Sequence, residues 1–383
     1  MDKIFVKIAS YRDRELPLTI QSALNSAKYP ERVTFGVCWQ YDEQTYLDME
    51  KYIDYPNVRI MQTYYENSKG CCWARHHSDL LYQGEEYTLQ IDAHTRFAQD
   101  WDERFIAMLE SLDCDKPLLT TYPAPFTYIN GEEHRYNDRG VQKLVMNRMR
   151  SNLTTIFRGA QVKDRTKLER CYFIGAGQVF THGRFCEEVQ YDPNLYYAGE
   201  EISLSARAYT HGYDFFCPNE DLLWHLYQHS MPVHSTDHKD NQHDSAVSRL
   251  HTLFIEDHTK LGRHGLGSHR PLSDYEAATG LDFKGRINRQ PVKTYFKQNL
   301  KVNLDKVEER EDYDLWIFAL RDVDDNVLLR KDLRDDQMPS HQHPYVDLDV
   351  VLEDEPVTYS IMPHSRSVGF HPRHIYDLSL PRT

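Results

Sequence analysis

Near its start the chain carries a strand-like run, Ile4-Phe5-Val6-Lys7-Ile8-Ala9, followed by Ser10-Tyr11-Arg12-Asp13. From Pro17 the pattern turns helical, with Leu18, Ile20, Ala23, Leu24 and Ala27 recurring on one face. Tyr29-Pro30 closes that helix, and a second apolar run, Val33 to Trp39, follows. After a helical stretch over Asp48–Tyr52, Val58–Met61 reads as a third strand. Apolar strands alternating with helices specify an α/β layer around a largely parallel sheet. Ligands of such sheets lie beyond the carboxyl ends of the strands. Ser10-Tyr11-Arg12 stands at one of those ends, either as a binding edge or as a solvated turn.

A later strand, Tyr87 to Ile91, runs straight into Asp92 and His94. Side chains two positions apart in an extended chain project to the same side. The carboxylate and the imidazole can therefore share one ion, and this oxygen–nitrogen pair suits a divalent metal such as Mn²⁺. Before it, Ser68-Lys69-Gly70 leads into a helix expected over Cys71–Tyr82. Gly70 gives backbone freedom where the first amides of the helix can face a phosphate, and Arg75 can add a charged contact. The alternative is an ordinary surface helix. Downstream, Cys171–Phe180 reads as a strand interrupted by Gly175-Ala176-Gly177, which marks either close approach by a ligand or a simple bulge. Tyr196 to Glu201 then enters a helix over Ile202–His211. Acidic side chains in a first turn complement the helix dipole, so one of Glu200 and Glu201 can be purely structural.

Charge narrows the partners. With 45 basic against 59 acidic residues in 383, the net charge of −14 excludes a general nucleic-acid or anionic-membrane binder. An anionic ligand must be met by local Arg and Lys or by a metal. No apolar run reaches membrane-span length, and the first residues read as a strand rather than a leader, which points to a cytoplasmic protein. The seven cysteines show no C-x-x-C spacing, so packed thiols are expected rather than disulfides or a zinc site. The sequon Asn152-Leu153-Thr154 would then carry no glycan.

Between these landmarks, Pro123–Asn137 reads as a loop and Lys143–Leu153 as helix-leaning. Histidines crowd the next part (His225, His229, His234, His238, His243, His251, His258, His264, His269), most of them expected on loops or the surface. A linker is expected near residues 285–298, around Gly285, Asn288 and Pro291. Short alternating strands follow at Tyr313–Leu320, Val327–Leu333, Tyr345–Leu352 and Thr358–Met362, as in a small β-sandwich. The expected division is a catalytic domain over residues 1–285 and a β-rich accessory domain over residues 295–383.

Several motifs in order give the chain a resemblance. Lys69-Gly70-Cys71-Cys72-Trp73-Ala74-Arg75, Asp92-Ala93-His94, Gly175-Ala176-Gly177-Gln178-Val179-Phe180 and Tyr197-Ala198-Gly199-Glu200-Glu201-Ile202-Ser203-Leu204-Ser205-Ala206-Arg207 resemble those of GT-A glycosyltransferases. The similarity is first to cytoplasmic polypeptide GlcNAc-transferases acting on hydroxyproline, and more distantly to polypeptide GalNAc-transferases. The tract Gly265 to Arg270, with Tyr275-Glu276, is similar to the first group. Tyr197-Ala198 stands where the family pattern has Trp-Gly. The resemblance covers roughly residues 1–285 and implies a Rossmann-like GT-A domain with a retaining, metal-dependent transfer of GlcNAc from UDP-GlcNAc to a protein or glycan hydroxyl. It further implies Asp92, His94 and His225 as Mn²⁺ ligands. Ser10, Tyr11 and Arg12 would receive uridine, Gly70 and Arg75 the phosphates or sugar, and Gly177 would line the sugar site. Glu200 would orient the sugar or acceptor, and Asp92 would also meet sugar hydroxyls. Two other classes use the same residues: a metal-dependent sugar-nucleotide hydrolase and a non-catalytic UDP-sugar or glycan-binding module.

Overall fold

A computed structural model describes residues 2–378 apart from 137–139, 151, 198, 228–231, 239–241, 286, 289–293, 306, 309, 322–326, 335–336, 353–355 and 357. The chain divides into two compact units, Met1–Arg289 and Gln290–Thr383. The strands of the first unit are β1 (Ile4–Tyr11), β2 (Val33–Tyr41), β3 (Val58–Tyr64), β4 (Tyr87–Asp92), β5 (Thr95–Phe97), β6 (Pro117–Thr120) and β7 (Ala124–Ile129). They continue with β8 (Glu132–Arg135), β9 (Gln142–Met149), β10 (Thr155–Gln161), β11 (Glu169–Cys171), β12 (Gln178–His182), β13 (Asp214–Cys217) and β14 (Leu223–His225).

Eight of them form one sheet in the order β11-β13-β6-β12-β4-β1-β2-β3. Strand β1 lies parallel to both β2 and β4, and β12 joins antiparallel to β4. Ile4, Phe5, Val6 and Ile8 have no exposed surface, as a central strand covered on both faces requires. Register decides what meets at the carboxyl edge. Ala9 is opposite Asp92, and Ser10 is opposite Trp39, so the Ser10–Asp13 turn lies beside the Asp92–His94 turn.

A second sheet, β5-β14-β7-β8, supplies the remaining wall. Its β14 pairs antiparallel with β5, setting His225 opposite Thr95. A histidine more than a hundred positions downstream thereby arrives next to His94.

Two expectations fail in this unit. Residues 123–137 are not one loop, because β7 and β8 form a hairpin there. The helix expected over Lys143–Leu153 does not form either, since β9 occupies Gln142–Met149 and pairs antiparallel with β10. Leu144 and Met146 are buried on one face while Lys143, Val145 and Asn147 between and beside them are more exposed, a period of two rather than 3.6. The histidine-rich tract also contains regular structure, a helix at Gln242–Phe254 and another at Leu272–Thr279.

The expected linker is partly structured. Ile287–Asn288 pairs with Leu281–Asp282, and Thr294–Lys301 is a strand, whereas 289–293 fall outside the described residues. In the second unit a five-stranded antiparallel sheet is centred on Tyr313–Arg321 and Thr358–Ser365, and Thr294–Lys301 pairs separately with Tyr345–Leu352. Trp316, Phe318, Leu320 and Ile361 form its core. Among the described residues no helix is long and apolar enough to cross a membrane, and all seven cysteines are free thiols.

Candidate active site

Asp92 ends β4, and the Thr95 hydroxyl donates to its carbonyl at 2.8 Å, tightening the turn that carries His94. The Asp92 Oδ2 atom lies 3.1 Å from His225 Nε2, and the His94 and His225 rings meet edge to face with centroids 4.5 Å apart. One ligand atom from each of Asp92, His94 and His225 falls within 4.8 Å of the others. One carboxylate oxygen and two imidazole nitrogens at such separations fit a divalent cation with coordination positions left for a ligand's oxygens.

The surroundings tune these groups for that role. Burial pushes the His225 imidazole down despite Asp92, favouring the neutral form that binds metals. Its other nitrogen, Nδ1, is buried with no partner among the described residues. Burial also opposes charge on Asp92. The hydrogen bond to His225 and the charge of Arg75 outweigh it and hold this carboxyl well below the usual range. His94 Nδ1 is 2.7 Å from Asp13 Oδ2, a contact that fixes the ring. For His94 burial works downward, but Asp13 more than offsets it and the net shift is upward.

Arg75 lies behind this cluster rather than on a surface helix. Its Nη2 donates to Asp92 Oδ1 and its Nη1 to Glu200 Oε1, each at 2.8 Å. The second Glu200 oxygen is 3.3 Å from Cys72 Sγ. Gly70 takes a φ of 104° at the start of the Cys71–Asp79 helix. A Cβ there would come within 2.5 Å of the Tyr196 ring, so packing alone already demands glycine. At Gly177 a Cβ would stand 3.3 Å from Asp92 Oδ2, so the glycine turn closes one side of the cluster.

Ser10, Tyr11 and Arg12 occupy the adjoining strand end. Ser10 is fully buried, and its hydroxyl has no partner among the described residues. Arg12 donates through Nε to Asp42 and through Nη1 to Asp237, both at 2.8 Å, while the Tyr11 hydroxyl donates to Asp237 at 2.7 Å. His234 and His238 pack on Tyr11 instead of joining the cluster, and His229 lies outside the described residues. Ala198 of the Tyr197-to-Arg207 motif does too.

Residues 3–52 and 46–285 match the protein family described as Glycosyltransferase (GlcNAc). The chain belongs to that family. All the side chains just described fall within the matched stretches. In fold, this glycosyltransferase is similar to the crystal structure of GalNAc-T7 with UDP, GalNAc and Mn²⁺, with a TM-score of 0.52 at 12% identity, over 100% of this chain and 73% of that one. That likeness shows the GT-A fold. S. aureus TarS 1–349, solved with UDP-GlcNAc, gives a TM-score of 0.40 at 15% identity over 65% of each chain. No curated protein matches the chain in sequence.

Asp13, Asp42 and Asp237 were not singled out by the sequence. Asp13 had a signal, since it directly follows the strand-end tripeptide. Its role yields a prediction: Asp13→Ala leaves the glycosyltransferase folded but weakens divalent-metal binding about 10- to 100-fold, the usual consequence of removing a ligand's orienting partner. A Mn²⁺ titration in the presence of UDP reads this, and an unchanged midpoint would mean that Asp13 does not orient a ligand.

Proposed function

We propose that this glycosyltransferase moves GlcNAc from UDP-GlcNAc, with retention of anomeric configuration, to a hydroxyl acceptor on a protein (hydroxyproline, Ser or Thr) or on a glycan. The observation that carries the reading is the Asp92, His94 and His225 cluster, backed by Arg75 and Glu200, in a chain of this family. Asp92, His94 and His225 would hold Mn²⁺ or another divalent cation, which would supply positive charge against a departing diphosphate. This also answers how a chain of charge −14 receives an anion.

The protein's own groups then divide the work. Asp92, His94 and His225 hold the cation, with Asp13 fixing His94. Arg75 holds Asp92 and Glu200 in place through its two ion pairs. Glu200 orients the donor sugar or the acceptor hydroxyl, and Gly177 admits the sugar beside Asp92, which also meets its hydroxyls. Ser10, Tyr11 and Arg12 form the uridine side, and Gly70 lets the first turn of the next helix approach the phosphates. The first unit is the catalytic domain, residues 295–383 are an accessory domain, and the setting is the cytoplasm.

The test is a screen of UDP-sugars for Mn²⁺-dependent UDP release, with and without hydroxyproline, Ser/Thr and glycan acceptors. Turnover is expected to be fastest with UDP-GlcNAc and much slower with UDP-Glc, because the acetamido group needs its own room and hydrogen bonds near Gly177 and Glu200. Faster turnover of UDP-Glc or UDP-Gal would overturn the donor assignment. UDP release indifferent to every acceptor would indicate hydrolysis.

A further inference from the structure

Two glutamates open the Glu200–Thr210 helix, and their surroundings differ. Glu200 is ion-paired with Arg75. Glu201 is held by neutral donors: the Ala176 amide reaches one oxygen at 3.1 Å, and the Tyr122 hydroxyl reaches the other at 3.1 Å. These partners come from two other elements, the glycine turn before β12 and the segment that follows β6. A carboxylate present only to complement its helix dipole would need no such partners.

The turn held by Glu201 is the one that faces Asp92. The Ala176 carbonyl accepts from Gln90 Nε2 at 2.7 Å, so this residue is fastened on both its amide and its carbonyl sides. The next residue, Gly177, is the one whose Cβ would approach Asp92 Oδ2 to 3.3 Å. A shift of the Glu201 bridge must therefore change the space between the turn and Asp92.

We propose that Glu201 is a positioning residue of the donor-sugar subsite: by bridging the Ala176 amide and the Tyr122 hydroxyl it sets the spacing between the Gly175-Ala176-Gly177 turn and Asp92, and thereby the fit of the sugar but not of the diphosphate. The inference rests on the UDP-sugar reading above. Burial and the neighbouring Glu200 charge push the Glu201 carboxyl up to about 7, against the pull of the Ala176 amide, Tyr122 and Arg75. Tyr197 faces the same pair of glutamates. The bridge as built needs two acceptor oxygens, which an ionised carboxylate provides. A protonated one carries a donor on one oxygen and accepts more weakly there, so the bond at that oxygen reverses or weakens. The bridge is therefore complete above about pH 7 and loosens as pH falls through that value.

The experiment compares the full chain with Glu201→Gln, Glu201→Ala and Tyr122→Phe, all with Mn²⁺. Binding of UDP-GlcNAc and of UDP is measured calorimetrically across pH, and KM and kcat are measured wherever transfer occurs. Loss of one bridging bond is expected to weaken UDP-GlcNAc binding about tenfold while leaving UDP binding unchanged. The preference of the native protein for UDP-GlcNAc over UDP should fall below about pH 7, and Glu201→Gln should abolish that fall, whereas an acid loss common to both ligands belongs to the metal-site histidines. If the variants lose UDP and UDP-GlcNAc affinity together, or Glu201→Gln keeps the native pH dependence of the UDP-GlcNAc preference, the proposal is wrong. Should Glu201→Ala fail to fold, the near-isosteric Glu201→Gln and Tyr122→Phe decide. Failure of the transferase reading is a separate result, the native protein binding UDP-GlcNAc no better than UDP and turning over no acceptor.

Discussion

Asp92→Asn is expected to lower Mn²⁺-dependent UDP release by on the order of a thousandfold, about 4 kcal/mol of lost transition-state stabilisation. One oxygen of this carboxylate faces His225 Nε2 at 3.1 Å and the other accepts from Arg75 at 2.8 Å. Asparagine keeps the shape but not the charge. Its amide nitrogen must turn either toward a guanidinium that only donates or toward the imidazole it should join at the cation. Binding of Mn²⁺ and of UDP should weaken together, because the diphosphate is held through the ion. Arg75 stays paired with Glu200, so the change in stability should be much smaller than the change in rate. The measurement is UDP release together with a Mn²⁺ titration of each protein, and a variant within tenfold of the native rate would remove Asp92 from the site.

What the chain discloses locally and what only its pairing supplies are different things. The central strands are legible because Ile4, Phe5, Val6 and Ile8 must be apolar on both faces. Asp92 and His94 are legible as a pair because two positions of one turn carry both. His225 enters through the β5–β14 register, which no local pattern encodes, and only the family resemblance pointed to it. The Asp13–His94 contact likewise depends on β1 lying beside β4. Arg75 meets Glu200 across 125 positions, and an isolated arginine on a helix gives no hint of it.

The misread tract has a physical cause as well. In β9 the polar and charged residues Gln142, Lys143, Asn147 and Arg148 are interspersed with apolar ones in a way that mimics a helical surface. The alternation that betrays a strand rests on only Leu144 and Met146. Such a half-buried ribbon, made of β9 and β10 alone, presents one apolar face to the rest of the unit and carries a weak period-two signal.

The second large effect belongs to Arg75. Arg75→Met is expected to destabilise the fold by about 3–5 kcal/mol, because it leaves Asp92 and Glu200 facing each other without the cation between them. The substitution keeps an unbranched chain of similar length, so lost packing is a small part of the loss. Arg75→Lys should fall between native and Met, since a single ammonium cannot bridge two carboxylates as a guanidinium fork does. The sign with pH follows from Asp92, whose carboxyl the His225 hydrogen bond and then the Arg75 charge hold below its ordinary value of 3.8 against the effect of burial. A depressed carboxyl stabilises the native protein above its unfolded-state value and loses that contribution as pH falls through the folded one. The gap between native and Arg75→Met should therefore narrow in acid. Mn²⁺ should narrow it at neutral pH too, by placing a second positive charge on Asp92. Urea midpoints at neutral and acidic pH, with and without Mn²⁺, separate this from plain packing loss. A deficit indifferent to both pH and metal would mean that Arg75 supports the core through its methylenes and not through its charge.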